Sequence, residues 1–123
     1  MDKRVLIFDD DKDILDICSL ILQSKGYIVF TSTNCNSLFE TILEAHPSII
    51  VMDNKMPGLC GVDAIPMIKA DKRTASIPVI LFSANTHVGE LSMVAGADFY
   101  LQKPFDINEF ETLLDSTMEK LTA

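Results

Sequence analysis

Five short apolar runs, each followed by a stretch with helical spacing, leave this chain few folds to choose from. The runs cover residues 4–8, 27–31, 48–53, 77–82 and 98–101. They are short and rich in β-branched residues, the mark of strands buried on both faces. After the first run, Ile14, Ile17, Cys18 and Ile21 recur at helical spacing, which predicts a helix over 12–24. Asp11 or a neighbour is its N-cap and Gly26 its stop. Ser37 with Glu40 has capping-box spacing and starts a second helix that ends before Pro47. A third helix is expected over 62–70 and a short fourth ending near Ala95-Gly96. Asp106 with Glu109 opens a fifth that runs to about residue 120. Strand–helix alternation with short connections predicts an α/β fold, a parallel sheet with helices on both faces.

Length and composition narrow the possibilities further. At 123 residues with 48% hydrophobic content, the chain reads as one domain, 1–123, with a core that needs no staples. The net charge of −8 would be repelled by phosphate backbones and anionic membranes, so neither nucleic acid nor membrane is an expected partner. Cys18, Cys35 and Cys60 are odd in number and form no C-x-x-C pair, which favours free thiols in a reducing compartment over disulfides or zinc. With no signal-peptide pattern and no apolar run of spanning length, the cytoplasm is the expected location. The chain stops soon after the fifth helix, so no output domain is expected to be attached.

In a parallel sheet the carboxyl ends of all strands emerge on one edge, where ligands bind. Here the first strand ends in Asp9-Asp10-Asp11, the third in Asp53 before Met56-Pro57-Gly58, the fourth in Ser83, and the fifth leads to Lys103-Pro104. Clustered carboxylates repel and call for a hard cation; a few carboxylates, a carbonyl and waters suit Mg²⁺ better than a calcium cage. A hydroxyl and an ammonium beside that cation suit a phosphoryl dianion, and an Asp among them can be the nucleophile that forms an acyl phosphate.

These motifs, in this order along the whole chain and with Tyr100 three residues before Lys103, resemble the receiver domain of two-component response regulators. The resemblance implies a flavodoxin-like doubly wound sheet in the order 2-1-3-4-5. It implies that Asp53 takes a phosphoryl group from a phosphohistidine on a sensor histidine kinase or a histidine phosphotransfer protein. Asp10, Asp53 and the backbone carbonyl of Lys55 would hold Mg²⁺, with Asp9 acting mainly through water. Lys103 would pair with one phosphoryl oxygen and Ser83 with another. Tyr100 would move inward and change the face made by the fourth helix, fifth strand and fifth helix, which an output protein reads. The Lys103-Pro104 bond would be cis. The chain would be a stoichiometric phosphoacceptor with self-catalysed phosphorylation and dephosphorylation, not a turnover enzyme. Lys55 and Asn85, two residues past Asp53 and Ser83, would set how long the phosphoryl group survives.

Departures from the family pattern are Cys60 where an Asp cap is usual, Pro66 inside the third helix, and Lys55 itself. Pro66 predicts a helix that begins late, with Asp63 as N-cap, or one that kinks. Leu15 and Leu22 lie off the expected core stripe of the first helix and offer a docking face for a kinase's helical domain. Two rival functions share these residues. An aspartate-nucleophile phosphohydrolase of the haloacid dehalogenase type would use the acids after the first strand, but needs a late acidic pair. A degenerate receiver that serves only as an interaction module would lack an acid, the Ser or the Lys, all of which are present.

Overall fold

The computed structural model describes residues 2–56, 58 and 61–122; Pro57 and Cys60 lie outside the described residues. Strands β1 (Arg4–Phe8), β2 (Ile28–Ser32), β3 (Ile49–Asp53), β4 (Val79–Ser83) and β5 (Phe99–Gln102) alternate with helices α1 (Lys12–Ser24), α2 (Leu38–Ala45), α3 (Gly61–Ala70), α4 (Val88–Ala95) and α5 (Ile107–Thr122). The strands form one sheet in the order β2-β1-β3-β4-β5. Every pairing is parallel, with Phe8 beside Met52 and Asp53 beside Phe82. The expected topology is therefore found.

Strand periodicity divides the core in two. Leu6, Phe8, Ile50, Met52, Val79 and Leu81 face one way and pack against α2, α3 and α4. Val5, Ile7, Ile49, Val51, Ile80 and Phe82 face the other way and pack against α1 and α5. All ten residues of β3 and β4 are buried, so the strand that carries Asp53 cannot shift its register without turning its apolar set to the wrong face.

Two helices differ from expectation. In α1 the buried face is Leu15, Cys18 and Leu22, whereas Ile17 is 53% exposed. Leu15 and Leu22 are core residues and no docking face. Apolar residues cover more than half of the circumference of α1, so the pattern alone leaves its rotation open. The short connection from β1 settles it, because the Asp11 side chain accepts the N–H groups of Asp13 and Ile14 (3.0 and 3.4 Å) directly after the strand end. In α3 the helix starts at Gly61 and runs without interruption past Pro66, so the late start at Asp63 is not found. Pro66 is exposed, so its ring faces water; its missing N–H leaves the Val62 carbonyl without its usual i+4 partner.

Candidate functional site

The site sits where the strand ends converge. The Asp9 N–H donates to Ser32 O (3.0 Å), which carries the β1–β2 ladder one residue further and fixes the Asp9 backbone. Its fully buried carboxylate is committed at both oxygens: Oδ1 accepts the Asp11 N–H (3.0 Å) and Oδ2 accepts Lys103 Nζ (2.7 Å). The same Nζ donates to Asp53 Oδ1 at 2.8 Å, so one ammonium joins the ends of β1 and β3. Asp10 is exposed. One carboxylate oxygen from each of Asp9, Asp10 and Asp53 lies within 4.8 Å of the others, a donor set that can hold a metal ion.

Lys103 is placed by the segment after β5. Its N–H donates to Ser83 O (2.8 Å), and its bond to Pro104 is cis, as expected. Phe105 then turns in against Phe82 and Phe110, with ring centroids 4.9 and 5.5 Å away, an aromatic anchor beneath the site. Ser83 is buried, and its Oγ accepts the Asn85 N–H (3.1 Å). Asp9, Asp10, Asp53, Lys55, Ser83 and Lys103 line a cleft of about 300 Å³. Asn85 is not among the described residues that line it; its side chain accepts the His87 N–H (2.8 Å) in the turn before α4. Tyr100 is 51% exposed and lies over α4, its Cζ and Oη 3.4 Å from where a Cβ on Gly89 would stand.

Burial pushes the Asp53 carboxyl above its ordinary value; Lys103 pulls it down, and the charges of Asp9 and Asp10 push it up again. Burial opposes the charge on Lys103, but the hydrogen bonds to Asp53 and Asp9 outweigh it and raise the ammonium above its ordinary value. The cleft therefore holds more negative charge than Lys103 balances, the condition that a bound divalent cation relieves. Beside it, Ile14, Ile17, Ile21, Pro104 and Ile107 line an apolar groove of about 480 Å³ between α1 and the start of α5. Burial, and then the charge of Asp9, push the Cys18 thiol in its wall up to about 11, so it is no nucleophile at neutral pH.

The sequence reading named the acids, Ser83 and Lys103, and the structure brings them together. It missed Asn54 and Gly61, which join Asp53 to α3. A polar residue directly after the acid of a buried strand was the available signal for Asn54.

The family model of the response regulator receiver domain matches residues 5–115. The chain belongs to that family and is a receiver domain of two-component signal transduction. It is similar to the DNA-binding dual master transcriptional regulator RpaA of Synechocystis, with 33% identity over 86% of this chain and 45% of that protein. It is also similar to the phosphate regulon transcriptional regulatory protein PhoB of Pseudomonas aeruginosa, with 28% identity over 96% and 52%. The chain spans about half the length of the curated relatives it matches. Among solved structures, it resembles the receiver domain of the sensor histidine kinase PA1611 of P. aeruginosa with a magnesium ion in its active-site cleft (25% identity, TM-score 0.85, 97% of this chain and 99% of that one). It also resembles the response regulator TrrA of Thermotoga maritima in complex with Mg²⁺-BeF (26%, TM-score 0.82, 94% and 98%). Among the described residues, no helix is long and apolar enough to cross a membrane.

Proposed function

We propose that Asp53 is the phosphoacceptor of a two-component relay and that the chain is a switch without a turnover reaction of its own. The observation that carries this reading is the double contact of Lys103 Nζ, at 2.7 Å to Asp9 and 2.8 Å to Asp53, in a cleft shared with Ser83. An Asp53 oxygen attacks phosphorus, the P–N bond of a phosphohistidine breaks, and the leaving imidazole keeps the electron pair and takes up a proton. Lys103 then pairs with one phosphoryl oxygen and the Ser83 hydroxyl donates to another.

The acid cluster fits Mg²⁺, with Asp10, Asp53 and the Lys55 backbone carbonyl as ligands. Asp9, whose oxygens already serve Asp11 and Lys103, would act on it through water. The ion would supply charge neutralisation for the phosphoryl oxygens. Tyr100 follows Ser83 inward, leaving its place over α4 and altering the α4–β5–α5 face that an output protein reads. Lys55 lines the cleft and controls the approach of water to phosphorus, while Asn85 acts through the turn that seats Ser83. The partner is a helical phosphohistidine domain seated in the apolar groove, whose residues Ile14, Ile17, Ile21 and Pro104 take the docking role in place of the buried Leu15 and Leu22. The cytoplasm is the location that an odd number of cysteines with no C-x-x-C pair favours.

The test is incubation with acetyl phosphate and Mg²⁺ followed by intact-mass analysis. Wild type gains one phosphoryl group and Asp53→Asn gains none; a full-yield gain in Asp53→Asn overturns the assignment. Multiple turnover of a phosphomonoester that survives Asp53→Asn but not Asp9→Asn moves the reading to a phosphohydrolase.

A further inference from the structure

Asn54 holds together three pieces of the fold. Its N–H donates to Phe82 O (2.9 Å), which continues the β3–β4 ladder past Asp53. Its carbonyl accepts the Gly61 N–H (3.0 Å), and its side-chain Oδ1 accepts the Val62 N–H (3.3 Å). The first two N–H groups of α3 are thus satisfied from across the loop by the residue next to Asp53. Asn54 is only 9% exposed, so solvent is a poor substitute partner. The approach is close: a Cβ on Gly61 would stand 2.8 Å from Asp53 O and 3.1 Å from Asn54 Cα.

We propose that Asn54 is a positioning residue for the metal site, acting through the peptide bond it shares with Lys55. A residue held at its N–H, its carbonyl and its side chain leaves its neighbour fewer conformations. That neighbour is Lys55, and its carbonyl must be in place for the metal to find a complete ligand set. With the Oδ1 acceptor gone, α3 loses a cap, the backbone at Asn54 and Lys55 gains freedom, and metal binding must order it again. The inference rests on the reading of the Lys55 carbonyl as a ligand. It adds a side chain that touches neither metal nor phosphoryl group yet sets how well the site is prepared.

The experiment compares wild type with Asn54→Leu, of similar size but without an acceptor, and Asn54→Asp, which keeps one in the same place. Mg²⁺ affinity is measured by calorimetric titration and amide exchange at Val62 by NMR. Asn54→Leu is expected to bind Mg²⁺ about fivefold more weakly, the equivalent of one lost cap, and to exchange its Val62 amide faster. Asn54→Asp is expected to bind at least as tightly as wild type, with the Val62 amide protected. A merely structural role would lower the melting temperature of Asn54→Leu and leave the Mg²⁺ affinity of the folded protein unchanged, which overturns the proposal. So does an Asn54→Asp variant as weak as Asn54→Leu. Should Asn54→Leu not fold, Asn54→Ala carries the same expectations. If wild type itself shows no saturable Mg²⁺ binding, the metal reading fails and this inference falls with it; saturable wild-type binding with unaltered Asn54→Leu binding sinks this inference alone.

Discussion

Asp53 ends a strand with no exposed residue, and its charge works against the fold. Its folded pKa lies above the unfolded value, with burial the largest cause. A group shifted this way contributes stability below its unfolded pKa and loses it as pH rises through the folded pKa. Asp53→Asn is therefore expected to raise the metal-free melting temperature at pH 7 by a few degrees. The gain should vanish below about pH 4, where both side chains are neutral. Thermal scans at both pH values decide it, and an equal gain at both would show that charge is not the cause. Lys55 carries a second expectation. Its ammonium has donors only and cannot orient an attacking water by accepting its proton. Lys55→Asn should therefore shorten the life of the phosphorylated protein, measured as decay after the donor is removed; equal or slower decay refutes it. The acids, Ser83 and Lys103 were legible because each stands at or just past the carboxyl end of a strand. Asn54 and Gly61 were not, because their contacts span the loop and a one-dimensional pattern does not report them.

Boundaries were legible to within a residue or two for most elements, because caps mark them. Asp11 caps α1, Asp106 accepts the Glu109 N–H (2.8 Å) at the start of α5, and Gly96 closes α4 at φ 83°. Ser37 occupies the expected N-cap of α2 but makes no side-chain cap hydrogen bond, so the capping-box spacing found the right place without its usual interaction. The rotation of α1 was illegible because two stripes of equal period compete along it. The late start was misjudged because Asn54 supplies an early start for α3 from outside the helix. The proline nevertheless keeps its cost there. Pro66→Ala should restore a donor on an exposed face and stabilise the protein by about 1–3 kcal/mol in urea unfolding. A loss of stability would mean that the proline is needed where it stands.

The architecture was the most legible level, since alternation and parallel connection leave few arrangements. What the sequence could not show was which apolar residues remain outside the core. Ile17 and Leu20 on α1 are 53% and 68% exposed, and Met93 and Val94 on α4 are 83% and 86% exposed. Ile17 also lines the groove beside the acid cluster. Ile17→Asp is expected to slow phosphotransfer from a phosphohistidine donor about tenfold or more, as an anchor residue of an interface would. Acetyl phosphate is too small to touch α1, so its rate should stay within about twofold. A uniform fall with both donors would place Ile17 in the fold and outside docking. The two tasks of the molecule also fall on parts of different stiffness. β3 and β4 are buried throughout, whereas β5 is an edge strand with Tyr100 and Gln102 in solvent. Amide hydrogens in the middle strands can exchange only when most of the apolar interior is opened, while β5 can open at a fraction of that free energy. On the proposed assignment, the acceptor would stay fixed while the strand that reports on it is free to change shape, so a signal could pass without the domain approaching its own unfolding.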